Sequence, residues 1–61
     1  MRFKAGDKVI CTNKTDGWED KRCEVILISP HSPWPYLVRC LEGERENDTG
    51  YLDAKEMIKE Q

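Results

Sequence analysis

Three cysteines and one histidine have the widest chemical repertoire in this 61-residue chain. Cys11, Cys23, Cys40 and His31 carry the ligand inventory of a Cys₃His zinc centre, but structural zinc takes its ligands in closely spaced pairs such as Cys-x₂-Cys, which the chain lacks. A thiol nucleophile with His31 as its base is equally poorly supported. No local motif flanks any cysteine, and His31 sits in the proline-rich stretch Pro30-His31-Ser32-Pro33, which predicts a surface loop. Each cysteine instead lies inside a strand-like apolar run, and an odd number cannot all pair within one chain. The reading is of reduced thiols in or near the core of a cytoplasmic protein, with no metal and no cofactor.

The carboxylates form two groups, Asp16, Glu19 and Asp20, and then Glu42, Glu44, Glu46 and Asp48. A catalytic pair needs a cleft that separates two pKa values, and a domain this small offers little more than a surface groove. Solvated loop charge is the default and no enzyme is expected; the second run can also present a negative face to a basic partner. Trp18 and Trp34 carry more weight. Both fall in polar or proline-rich loops, where a large amphipathic ring is costly unless packed or used. With Tyr51 and Pro35 they make the expected partner-binding set, Trp34 being favoured over Trp18 as an exposed anchor because prolines flank it. The alternative is a nucleic-acid surface around Lys14, Lys21 and Arg22, which Asp16, Glu19 and Asp20 largely neutralise.

A chain of this length supplies one small core, so residues 1–61 read as a single domain. A net charge of −2 disfavours general phosphate-backbone binding, where clustered Lys and Arg must outweigh local acids. No apolar run approaches the roughly 18 residues that span a bilayer, and the N-terminus lacks the apolar core of a signal peptide. A soluble, cytoplasmic protein without a membrane partner is expected.

The elements that must position these residues are strands. Phe3-Lys4-Ala5-Gly6-Asp7-Lys8-Val9 places an apolar anchor and a Gly-Asp turn before a β-branched run, predicting a first strand over 7–13 with Val9 and Cys11 inward. Lys14 to Asp20 is a polar loop with Asp16-Gly17 turn chemistry. A second strand over 21–29 is apolar on both parities, Val25 and Leu27 against Ile26 and Ile28, so parity leaves the inward pair open. Three prolines bar helix or central strand from 30–35. The third strand, 36–42, puts Tyr36, Val38 and Cys40 on one face, with Arg39 marking the exposed one. Residues 42–50 read as a turn and Tyr51-Leu52 as a short fourth strand. Asp53 and Glu56 have capping-box spacing, with Leu52 and Met57 at the staple positions. That turn either continues as a short helix or is 3₁₀, with Met57-Ile58 adding a fifth strand.

This order of strand, aromatic-bearing loop, long strand, loop, strand, turn, short strand and helical turn resembles the SH3-like barrels. Gly6-Asp7-Lys8-Val9, Pro35-Tyr36-Leu37-Val38-Arg39 and Gly50-Tyr51-Leu52-Asp53 look most like small bacterial, phage and photosynthetic accessory barrels. Residues 36–56 are similar to the photosystem I accessory subunit known by the letter E, though its acidity pattern differs and its membrane-complex partners are not carried over. The resemblance implies an all-β fold, a small SH3-like barrel of four to five strands with a short helical turn near the C-terminus. Signalling SH3 domains hold proline-rich ligands on clustered aromatics, a role Trp18, Trp34 and Tyr51 could fill. Their Ala-Leu-Tyr-Asp-Tyr strand and Trp-Trp pair are absent here. The expected function is non-enzymatic protein binding by an accessory or regulatory factor, as a monomer or a weak homodimer joined through Ile26 and Ile28.

Overall fold

The structure, a computed structural model, describes residues 2–12 and 17–60. The chain is all-β. Its elements are β1 (Lys8–Cys11), β2 (Arg22–Ile28), β3 (Tyr36–Cys40), β4 (Thr49–Leu52), a 3₁₀ turn (Ala54–Glu56) and β5 (Met57–Lys59). All five strands join one antiparallel sheet in the order β4-β3-β2-β1-β5. Of the two endings that the sequence allows, the chain takes the 3₁₀ turn and fifth strand, and β4 begins at Thr49 rather than Tyr51. β1 ends at Cys11, and Asn13, expected to close it, lies outside the described residues.

Alternation decides the core. Val9 and Cys11 of β1, Cys23 and Val25 of β2, and Tyr36, Val38 and Cys40 of β3 are all buried, while Arg39 is exposed. Leu52 of β4 and Met57 of β5, from opposite edges of the sheet, belong to the same buried cluster, so the sheet is curled around one core. Phe3 closes it from the N-terminal side. Its ring meets that of Tyr36 edge-on at 5.4 Å, and its backbone N–H donates to the Tyr36 hydroxyl at 3.4 Å.

The ambiguous strand is resolved by a bulge. Between Val25 and Leu27 the β2–β3 register shifts by one, so Val25 and Ile28 point toward the core while Leu27 is 52% exposed. Ile28 packs against the core, whereas Ile26 is exposed. Of the two isoleucines in the expected dimer face, Ile26 is thus the more exposed and Ile28 only partly so.

Turn chemistry joins the strands. Gly6, at φ 94°, completes a turn in which Asp7 N–H donates to the Lys4 carbonyl at 3.0 Å and Lys4 N–H to Asp7 Oδ2 at 3.1 Å. At the other end Asp53 accepts Ala54 N–H at 2.7 Å and Glu56 Oε2 accepts Asp53 N–H at 2.8 Å, the reciprocal box expected from their spacing. It fixes the corner through which Leu52 and Met57 both enter the core. On the outer face Glu24 lies between Lys8 and Arg39 across three strands, at 3.8 and 3.2 Å.

Candidate functional site

Trp18, Trp34 and Tyr51 come from three separate segments and line one surface groove of about 340 Å³. Trp18 arrives on the turn at 17–20 that precedes β2, Trp34 on the loop between β2 and β3, and Tyr51 on β4. Cys11 forms part of the floor, and Thr49, Gly50, Leu52 and Glu56 complete the lining. The two tryptophans play different parts. Trp18 is partly buried against the core and its six-membered ring lies over Gly50, where an added Cβ would stand 3.7 Å from the ring. Trp34 is 54% exposed and Tyr51 55%. One wall is thus a fixed ring, and two open rings stand beside it.

Pro35 sits beside the groove at the base of the Trp34 loop. It is not part of the groove lining; its carbonyl accepts the Ser29 N–H at 2.7 Å and so closes the base of the loop that carries Trp34. Inside that loop Ser32 Oγ accepts the Trp34 N–H at 3.2 Å, and Ser32 N–H donates to the Ser29 carbonyl at 3.0 Å. Prolines remove donors and fix φ, and the serines supply the local bonds that orient Trp34. The sequence also missed Gly50 as a site residue. The available signal was a glycine beside a strand aromatic, which often marks a close approach by another group.

Chemically the groove presents aromatic and small surface with one carboxylate, Glu56, whose Oε2 is engaged by the Asp53 backbone. Such a lining offers aromatic stacking and apolar burial. Among the described residues no group of three or more His, Cys, Asp or Glu side chains is placed to hold a metal ion, and His31 is exposed.

Of the basic set, the described members Lys21 and Arg22 have different surroundings. Lys14 lies outside the described residues. Lys21 runs over Gly43, in a second depression with Gly17, Glu19 and Glu44. Arg22 points to the outer face, where Nε lies 3.5 Å from Glu60. Lys21 and Arg22 therefore each have carboxylates at hand, and the local potential around them is mixed in sign.

All three cysteines are free thiols with no exposed surface. Cys23 is pushed up to about 12, first by burial, then by the neighbouring thiols of Cys40 and Cys11, a hydrogen bond with Cys40, and Glu42. No described helix is long and apolar enough to cross a membrane. Comparison with protein families, curated proteins and solved structures finds no match to this chain.

Proposed function

We propose that this protein is a non-enzymatic binding module of the SH3-like barrel type, whose aromatic groove holds an extended segment of a partner protein. The observation that carries the reading is the convergence of Trp18, Trp34 and Tyr51, distant in sequence, on one groove with two of the rings more than half exposed. Exposed aromatics are costly in a domain with so small a core, and they are the residue types that anchor interfaces. The order β1, β2, β3, β4, 3₁₀ turn, β5 supports the SH3-like assignment. The three free thiols fit a reducing compartment, in keeping with an accessory or regulatory factor of the cytoplasm.

Panning a random peptide display library against the purified protein tests this. Selected peptides are expected to lose about 30-fold or more in affinity against Trp34→Ala, the range of an aromatic anchor. Peptides that bind wild type and Trp34→Ala alike, or affinity only for oligonucleotides that falls steeply as salt rises, would replace this reading with another.

A further inference from the structure

Cys23 and Cys40 are direct cross-strand partners, buried side by side on adjacent strands. Their backbones show which kind of pair they form. The Cys40 N–H donates to the Asp48 carbonyl and its own carbonyl accepts the Asn47 N–H, so both of its polar groups face β4 and not β2. The Leu41 N–H donates to the Arg22 carbonyl at 2.8 Å, a bond that flanks the 23–40 pair instead of joining it. Cys23 and Cys40 therefore occupy a non-hydrogen-bonded site of the antiparallel ladder, where facing Cα atoms come within about 4.5 Å. That spacing lies inside the window that a disulfide requires. The side chains share the inner face, where each thiol donates to a backbone carbonyl, Cys23 Sγ to Lys21 at 3.7 Å and Cys40 Sγ to Glu42 at 3.1 Å.

We infer that Cys23 and Cys40 are a site of reversible oxidation, closing a cross-strand disulfide by exchange with a low-molecular-weight disulfide such as oxidised glutathione. One cysteine, as thiolate, attacks the small disulfide and expels one small thiol. The second cysteine then displaces the other small thiol from the mixed disulfide. The two cysteine thiols are oxidised to one S–S bond, one small disulfide is reduced to two thiols, and both cysteine protons end on the products. Cys11, on β1, pairs in register with Lys21 of the segment before β2 and not with a cysteine, so the cross-strand link forms between Cys23 and Cys40. Attack is slow in the closed fold, because both sulfurs are fully buried and Cys23 holds its proton; the reaction proceeds through transient opening of the sheet. The product ties β2 to β3 across the loop that carries Trp34. It shortens the unfolded chain's freedom and raises the midpoint of thermal unfolding by roughly 10 °C or more.

Full-length protein is equilibrated with oxidised and reduced glutathione, the remaining thiols are alkylated under denaturing conditions, and tryptic peptides are analysed by mass spectrometry. Cleavage after Lys8, Lys14, Arg22, Arg39 and Arg45 puts each cysteine on its own peptide. The expected result is a single linked species joining the peptides of Cys23 and Cys40, with Cys11 alkylated, reversal by dithiothreitol, and a raised unfolding midpoint. Three alkylated cysteines, glutathione adducts without an internal link, or a link through Cys11 would overturn the assignment. The wild-type result does not depend on a variant that folds, and Cys11→Ala should keep the linkage.

Discussion

Cys23 shows how one buried side chain makes stability depend on pH. Its folded pKa of about 12 stands above the ordinary value of 9.0, so the folded state keeps a proton that the unfolded chain releases. This contribution is fully present below pH 9 and is lost as pH climbs toward 12, at up to about 1.4 kcal/mol per pH unit. Chemical denaturation between pH 8 and 11 checks it: wild type should lose stability more steeply than Cys23→Ala, and parallel curves would refute the linkage. At Tyr36 the hydroxyl takes the Phe3 N–H, so Tyr36→Phe should cost about 1 kcal/mol in a urea titration. The burial of Tyr36 was legible from alternation, and Phe3 stood out as an apolar anchor ahead of the first turn. The hydrogen bond that ties them was not, because it spans 33 positions and leaves no periodic trace.

At the scale of elements, the β2 bulge separates two neighbours that look equivalent in sequence. Val25→Thr puts a hydroxyl into the core and should cost about 2 kcal/mol, whereas Leu27→Thr, on the exposed face, should stay within about 0.5 kcal/mol. Equal losses from the two variants would mean that the register does not shift. Strand 3 could be read directly, since Tyr36, Val38 and Cys40 alternate with a charged residue, and the corner at Asp53 carried its own capping signal. Strand 2 could not, because a run apolar on both parities holds no phase information and a bulge is set by its partner strand. For the corner, Asp53→Ala removes the acceptor for Ala54 N–H and should cost about 1 kcal/mol, read from the same titration.

For the whole molecule, curling one five-stranded sheet around a single core brings the segment before β2, the β2–β3 loop and β4 to one side, where Trp18, Trp34 and Tyr51 share a groove. Each aromatic stood out in the sequence by its setting. Their convergence depends on the curl of the sheet, and so does the place of Pro35, whose carbonyl closes the base of the Trp34 loop. The same geometry sets Lys21 beside Glu19 and Glu44, and Arg22 beside Glu60. The most direct test is an amide- and indole-resolved NMR titration of the isotope-labelled protein with the tightest peptide from the library. Shifts are expected at the indoles of Trp18 and Trp34 and at the amides of Thr49 to Leu52 and Glu56, with Lys8, Glu24 and Arg39 unmoved. Shifts centred on that outer charged row, with both indoles silent, would contradict binding at the groove.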